Sequence, residues 1–115
     1  MAALDPHLQG ADRVREVFAR VCRGDAAAVA NLYAEDGKIR FTGGEVQGRA
    51  AITGFYQGAI DNLHPQPRIE NILKNADRYV AIVDVPNDKG RTRAADLFEL
   101  GEEGIRQLDI FSMEP

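Results

Sequence analysis

The sequence predicts an α+β domain in which helices come first and an antiparallel sheet follows. Apolar residues in the first half recur at spacings of three and four, as they do in amphipathic helices. Four segments in the second half have the character of strands, and turn-forming residues separate them. A length of 115 residues suits one domain. We therefore expect a single domain over residues 1–115, with an N-terminal tail at residues 1–11.

Three helices are expected in the first half of the chain. The first is capped by Asp12 and ends at Gly24, because these residue types favour those two positions. The second is capped by Asp25 and has its apolar side at residues 28, 29, 32 and 33. The third follows Gly48 and extends from about residue 49 to residue 60.

Five strands are expected around and after these helices. A short one at residues 38–42 lies between a turn at Asp36-Gly37 and a second turn at Gly43-Gly44. The other four are predicted at residues 68–74, 79–85, 91–100 and 105–113. If the sheet curves around the helices, it makes a pocket that is open at one end.

The charge balance argues against a nucleic-acid partner. The chain has 14 Lys and Arg residues against 18 Asp and Glu residues, which gives a net charge of −4. Phosphate-binding surfaces need a clustered basic excess, and stacking of bases needs more aromatic residues than the 7% present. Apolar runs such as residues 79–83 are too short to cross a membrane, and residues 1–10 lack the features of a signal peptide. We expect a cytoplasmic protein that binds neither nucleic acid nor membrane.

Metal and cofactor chemistry is not expected. The single cysteine, Cys22, excludes an internal disulfide and a thiolate zinc cluster, and its place in an apolar helical stripe is typical of a core residue. His7 and His64 have no partners at metal-ligand spacing.

Two aspartates on the last two strands are the most informative polar residues. Alternation places Asp96 on the same face as Phe98, and Asp109 on the same face as Phe111. If residues 102–103 form the tip of the hairpin, Asp96 lies directly opposite Asp109. A shift of the pairing by one residue would instead separate them.

Three runs of sequence carry a family resemblance: residues 24–36, residues 48–56 and residues 96–105. Together they resemble the nuclear transport factor 2-like superfamily, and within it the ketosteroid isomerase-like and SnoaL-like subgroup. The resemblance implies a cone-shaped α+β fold, in which a curved, antiparallel or mixed sheet wraps around three N-terminal helices. It also implies a deep apolar pocket and a homodimer formed through the outer face of the sheet.

The resemblance implies roles for individual residues. Asp96 matches a protonated aspartate that donates a hydrogen bond to an oxyanion, and Tyr56 matches a tyrosine of the pocket. Phe41 stands where the isomerases have their general-base aspartate, and Val17 stands where they have a donor tyrosine. In the limonene-epoxide-hydrolase subgroup, Asp109 matches one catalytic carboxylate.

That epoxide-hydrolase alternative needs two further residues. Asp84 is the candidate for the second carboxylate, and Ile82 occupies the position of the arginine between them. The other interpretation is that Asp84 caps the nearby turn or lies at the rim of the pocket.

The combined hypothesis is a small-molecule pocket protein whose polar centre is an aspartate pair. Two carboxylates in an apolar setting share a proton, so Asp109 would act as the base and Asp96 as the donor to the oxyanion. Arg106, Gln107 or a water molecule could instead satisfy either carboxylate structurally. The residues expected to contact a small apolar ligand are Val17, Phe41, Tyr56, Asp84, Phe98 and Phe111.

The predicted activity is a steroid delta-isomerase-like isomerisation, or a cyclisation, of a carbonyl compound. The alternatives are epoxide hydrolysis and a non-catalytic module for ligand binding or dimerisation. A homodimer is expected through an apolar patch on the outer face of the last hairpin, made by Ala95, Leu97, Leu108 and Ile110.

Overall fold

The computed structural model describes residues 9–113, which form three helices and six strands. The helices are α1 (Ala11–Cys22), α2 (Ala26–Ala30) and α3 (Arg49–Leu63). The strands are β1 (Tyr33–Phe41), β2 (Gly44–Gln47), β3 (Arg68–Asn75), β4 (Arg78–Asn87), β5 (Gly90–Gly101) and β6 (Gly104–Met113). Of the predicted tail at residues 1–11, only residues 9–11 are described. His7 lies outside the described residues.

The strands form one mixed sheet in the order β2-β1-β6-β5-β4-β3. All neighbours are antiparallel except β1 and β6, which run parallel. Contacts of α1 with β3 and β4, and of α3 with β1 and β2, close a single apolar core against the sheet. The predicted fold, a mixed sheet around three helices, is confirmed.

The helix ends agree with the sequence at three of the four predicted positions. Asp25 caps α2, because its Oδ1 accepts a hydrogen bond of 3.1 Å from the Ala28 backbone N–H. Gly24 follows α1 with a φ of 74°, and Gly48 precedes α3. The cap of α1 is Gly10 rather than Asp12, which lies in the first turn of that helix.

The second helix is shorter than its apolar spacing predicts. It ends at Ala30, and Tyr33 begins strand β1 instead of extending the helical side. The cause is tertiary, because the Leu32 carbonyl accepts a hydrogen bond of 2.9 Å from the Ile105 N–H, and Tyr33 pairs with Ile105 on β6. Pairing with a strand about seventy residues away therefore overrides local helical spacing.

The start of β6 requires a glycine. Gly104 has a φ of 137°, and a Cβ there would lie 2.7 Å from the Ala34 backbone nitrogen. The predicted turn at Asp36-Gly37 lies inside β1, where the pairing with β6 shifts between Tyr33 and Lys38. The parallel contact of β1 with β6 depends on the close approach of the backbones at Gly104 and Ala34.

The remaining strands match the prediction closely. All four strands of the second half are confirmed, with ends that differ from the prediction by at most two residues. The connection of the β1–β2 hairpin is at Thr42-Gly43, one residue before the predicted turn at Gly43-Gly44, and Phe41 pairs with Gly44. Strand β2 itself is an addition to the prediction, since its residues alternate too briefly to indicate a strand.

Candidate functional site

The β5–β6 hairpin contains an irregularity that changes the predicted site. Its tip lies at residues 102–103, as expected, and Leu100 pairs with Ile105. The pairing then shifts, so that Glu99 pairs with Gln107. Beyond this point Asp96 pairs with Ile110, whereas Asp109 pairs with Leu97. Asp96 and Asp109 therefore lie on opposite faces of the sheet, and the prediction that they face each other is wrong.

The physical reason is the burial of two residues of β6. Ile105 and Leu108 are 0% and 1% exposed, and both face the core. Because they are three positions apart, a regular strand would place them on opposite faces. One extra residue, Arg106, lets both point inward, as in a β-bulge. The Arg106 side chain points to solvent and donates a hydrogen bond of 2.7 Å to Asp77.

Asp96 is the candidate functional residue of the interior. Its side chain is 6% exposed, and its direct neighbours on the adjacent strands are Ala81 and Ile110. Burial in these apolar surroundings raises the pKa of Asp96 to about 7. Its Oδ1 is buried and has no hydrogen-bond partner among the described residues. Asp96 is also the only buried acidic residue in the part of the chain that is described.

A pair of tyrosines lies close to this carboxyl group. The Tyr33 and Tyr56 hydroxyls are hydrogen-bonded to each other at 2.6 Å, and both rings are buried. Burial raises the pKa of both hydroxyls, and the nearby Asp96 raises both further. Asp96 and the two hydroxyls therefore form a polar group inside an apolar core.

Tyr33 is the member of this group that the sequence did not reveal. It was expected on the apolar side of a helix, yet it begins β1, and its carbonyl accepts a hydrogen bond of 3.0 Å from Arg49 Nε. Arg49 begins α3, the helix that carries Tyr56. Tyr33 thus contacts α3 twice, through its carbonyl with Arg49 and through its hydroxyl with Tyr56. No local pattern could have identified it, because the hydroxyl partner is 23 residues away.

Asp109 has the environment of a structural ion pair. Arg40 Nε donates a hydrogen bond of 2.7 Å to Asp109 Oδ1, and a second guanidinium nitrogen lies 3.2 Å from Oδ2. Gln107 Nε2 is 3.1 Å from both carboxylate oxygens. The hydrogen bond from Arg40 lowers the pKa of Asp109. The predicted role of Asp109 as the base beside Asp96 is therefore incorrect.

Two other predicted ligand contacts also lie on the outer face. Asp84 Oδ1 is 3.0 Å from Arg91 Nε in an ion pair, and Asp84 pairs across the strands with Arg93. Phe111 is 57% exposed. The prediction of one pocket containing all six residues is wrong for these two, because the shifted pairing and the strand alternation turn them away from Asp96.

The other predicted contacts are on the same side of the sheet as Asp96. Val17, Tyr56 and Phe98 are buried members of the core, and Phe41 is half-buried and packs against it. Whether these residues bind a ligand stays a prediction.

Two cavities lie at opposite ends of the β5–β6 hairpin. One, of about 300 Å³, lies where β1 ends beside β6 and is lined by Arg40, Phe41, Thr42, Asp109, Ile110 and Phe111. The other, of about 870 Å³, lies at the tip of the β5–β6 hairpin, with Arg13, Tyr79 and Arg106 among its lining residues. Asp96 lines neither of them.

The outer face of the sheet carries an apolar patch, which we call the outer patch. It consists of Leu73, Val80, Ile82, Ala95, Leu97 and Phe111, adjacent to one another through the strand pairing. The predicted patch is corrected at two positions, because Leu108 and Ile110 face inward after the bulge. Leu73 is 56% exposed, so the patch has solvent-accessible apolar surface.

Among residues 9–113, no group of three or more His, Cys, Asp or Glu side chains is arranged to hold a metal ion. None of the helices in this range has the length and apolar character needed to span a membrane.

Comparison with known proteins identifies the family. The SnoaL-like domain matches residues 7–107, which is most of the chain. The chain belongs to the SnoaL-like domain family. No curated protein sequence is significantly similar to it.

Solved structures agree with this assignment at the level of fold. An NTF2-like protein from Cytophaga hutchinsonii is 14% identical with a TM-score of 0.78, and the match covers 90% of this chain and 88% of that one. A protein with a ketosteroid isomerase-like fold from Catenulispora acidiphila, solved with trimethylamine, is 18% identical with a TM-score of 0.81 over 90% and 86%. The epoxide hydrolase/cyclase-like enzyme SalBIII, studied for pyran ring formation in the polyether salinomycin, is 19% identical with a TM-score of 0.80 over 90% and 89%. Together with the SnoaL-like match, they confirm the superfamily that the sequence resembles.

The burial of Asp96 makes the stability of this SnoaL-like domain depend on pH. Its folded-state pKa of about 7 exceeds the ordinary value of 3.8, so the unfolded chain releases the proton more readily. The stabilising contribution is complete below pH about 4 and is lost as pH rises through about 7, a change on the order of 4 kcal/mol. In urea titrations, the stability advantage of the wild type over Asp96→Asn should therefore shrink between these pH values.

The matched control is Asp109→Asn. Because the pKa of Asp109 is lowered, its own contribution is lost only as pH falls into the acid range. The stability difference between the wild type and Asp109→Asn should stay constant between pH about 5 and 8. An Asp96→Asn difference that is equally constant would show that Asp96 ionises like an exposed carboxyl group.

Proposed function

We propose that this SnoaL-like domain binds a small, largely apolar carbonyl compound beside Asp96 and catalyses proton transfer in it. The observation that carries the proposal is a buried carboxyl group with a pKa of about 7, which interacts electrostatically with two hydrogen-bonded tyrosine hydroxyls. A group with such a pKa both accepts and returns a proton at neutral pH, which general acid–base catalysis requires. The Oδ1 of Asp96 has no hydrogen-bond partner among the described residues, which supports a role in contacting a ligand.

The proposed reaction is the isomerisation of a β,γ-unsaturated ketone. Ionised Asp96 takes a proton from the carbon between the carbonyl group and the double bond. The electrons of that C–H bond move into the carbonyl group and form a dienolate, whose oxygen accepts a hydrogen bond from the Tyr56 hydroxyl. Asp96 then returns the proton to the γ-carbon, the conjugated ketone forms, and the carboxylate is regenerated.

Tyr33 acts as a positioning residue in this scheme. When its hydroxyl donates to the oxygen of Tyr56, the Tyr56 proton is left to donate to the ligand. Donors aimed at developing negative charge in a dry site are effective because they need no reorganisation. A ring closure that begins with the same enolate would use the same three residues.

The scheme gives Asp96 a different role from the one the family resemblance implies. With Phe41 at the usual base position and Asp109 on the outer face, Asp96 is the carboxylate left to move the proton. The donor role passes to Tyr56. In this scheme the reaction needs one buried carboxyl group, as the base, instead of the two aspartates that the sequence predicted.

The test is the conversion of 3-cyclohexen-1-one to 2-cyclohexen-1-one, followed by the ultraviolet absorbance of the conjugated product. Replacing Asp96 with Asn should lower kcat/KM at least about 100-fold, because the proton acceptor is lost. Wild-type kcat/KM should rise with pH and level off above about 7, as Asp96 ionises.

Asp109→Asn is the control and should retain the wild-type rate, since Asp109 is on the opposite face of the sheet. A rate that falls as pH rises through about 7 would assign Asp96 the role of a neutral donor instead. Activity that survives in Asp96→Asn would exclude Asp96 as the base.

A non-catalytic binding module is the second candidate function. The observation in its favour is that Asp96 is the only buried acidic residue among residues 9–113, so no second carboxyl group assists it there. Saturable binding of 2-naphthol, a phenol that mimics an enol, without turnover of the ketone would favour this candidate. Epoxide hydrolysis is not supported, because Asp84 and Asp109 are held in ion pairs on the outer face.

We propose that the functional unit is a homodimer formed through the outer patch. A patch of six neighbouring apolar residues, with Leu73 and Phe111 more than half exposed, is costly in water. Charged residues at its margin, such as Arg93 and Arg40, already have partners within the chain. The middle of the patch is therefore free of unpaired charge, which favours packing against a second copy.

The dimer can be tested with Leu97→Arg, a change in the middle of the outer patch. Sedimentation velocity at micromolar concentration should give a dimer for the wild type and a monomer for the variant, because the guanidinium would be buried without a partner. Glu102→Arg, which places the same charge at the exposed hairpin tip, should remain dimeric. A monomeric wild type would contradict the proposal.

A further inference from the structure

The 300 Å³ cavity, which we call the mouth cavity, is separated from Asp96 by a thin wall. Two of its lining residues, Phe41 and Ile110, are half-buried and pack against the core as well. Ile110 pairs directly with Asp96 on the neighbouring strand. The mouth cavity is thus one residue away from the candidate catalytic carboxyl group.

The sheet is incomplete at this point. The last pair between β1 and β6 joins Arg40 to Asp109, and β1 ends at the next residue, Phe41. Strand β6 continues to Met113. No β1–β6 pair continues beyond Arg40, and Phe41, the last residue of β1, lines the mouth cavity together with Ile110.

A row of aromatic rings leads inward from the mouth cavity. The centroid of the Phe41 ring is 5.0 Å from that of Phe55, which is 5.4 Å from that of Tyr56. The Tyr56 hydroxyl meets that of Tyr33 at 2.6 Å. The row therefore begins at the cavity surface and ends at the polar group that includes Asp96.

We propose that ligands reach Asp96 from the mouth cavity and that Phe41 is the gate that must swing aside to admit them. This inference rests on the proposed function, because it supplies the route to that site. The aromatic row favours flat, unsaturated molecules, whose faces can stack on the rings as they pass. Phe41 thereby limits the size of the ligand that enters. It stands at the position where the ketosteroid isomerases have their general-base aspartate.

Phe41 is better placed to move than the other wall residue. It ends a strand and is followed by a two-residue turn that contains Gly43, whose φ is 96° and which has no heavy atom within 4 Å of a Cβ built on it. Phe41 pairs with Gly44 of the edge strand β2, whereas Ile110 lies in β6, between β1 and β5, and pairs with Asp96. The turn leaves room for Phe41 to shift, whereas a shift of Ile110 would disrupt the sheet.

The experiment measures access to the tyrosine pair by acrylamide quenching of fluorescence. The chain has no tryptophan and three tyrosines. In a Tyr79→Phe background, emission comes only from Tyr33 and Tyr56. Adding Phe41→Ala should raise the bimolecular quenching constant of this pair several-fold, because the wall beside the mouth cavity is opened.

Phe111→Ala is the matched control. Phe111 lines the same cavity from the outer face and is not part of the wall, so its loss should leave quenching unchanged. General loosening of the fold is detected through Tyr79, measured alone in a Tyr33→Phe, Tyr56→Phe background. Its quenching should not respond to Phe41→Ala, because Tyr79 lines the cavity at the other end of the sheet.

Phe41→Leu provides the second variant if Phe41→Ala does not fold. A leucine keeps most of the buried apolar volume and leaves a smaller opening, so a smaller rise in quenching is expected. Unchanged quenching in the folded Phe41 variant would overturn the proposal, and so would an equal rise with Phe111→Ala. Because this experiment uses no ligand, its outcome is independent of whether the ketone is isomerised.

Discussion

The position of one extra residue in β6 determines which side chains form the interior of this SnoaL-like domain. Ile105 and Leu108 both need to be buried, and the bulge at Arg106 is what allows two residues three positions apart to face the core. Every residue beyond the bulge is thereby turned over relative to a regular hairpin. Ile110 faces inward beside Asp96, while Asp109 faces outward and pairs with Arg40. The same irregularity thus leaves one carboxyl group alone in the core and gives the other a structural partner.

The isolation of Asp96 has chemical consequences. A lone carboxyl group surrounded by apolar side chains keeps its proton to a pKa of about 7, so it can both take and give a proton under neutral conditions. A pair of facing aspartates would have reached a similar state by sharing a proton, but the domain does so by burial alone. In the proposed reaction the Tyr56 hydroxyl donates to the ligand oxygen, and its hydrogen bond with Tyr33 positions it. Burial costs stability, which is a common feature of sites that need a perturbed pKa.

The sequence predicted the fold class and most elements because these depend on local patterns. The strands after residue 68 alternate and are separated by turn residues, and Asp25 has the properties of a helix cap. The features that the sequence did not predict depend on contacts between distant segments. Tyr33 leaves the predicted helix because it pairs with β6, and the Tyr33 hydroxyl finds its partner on α3. The sequence does contain a sign of the bulge, because the apolar residues at 105, 108 and 110 do not follow a single alternation of period two.

The proposed chemistry depends on Asp96 being a buried, isolated carboxyl group whose pKa is about 7. The most direct test is an NMR titration of the side-chain carboxyl carbons in protein labelled with ¹³C-aspartate, with the Asp96 signal assigned by its loss in Asp96→Asn. The Asp96 resonance should titrate with a midpoint at about 7. The Asp109 resonance should titrate below its ordinary value, because Arg40 holds it in the ionised form. An Asp96 midpoint near the ordinary 3.8 would contradict the account, since the interior would then contain an ionised carboxylate with a partner or water that this structure does not show.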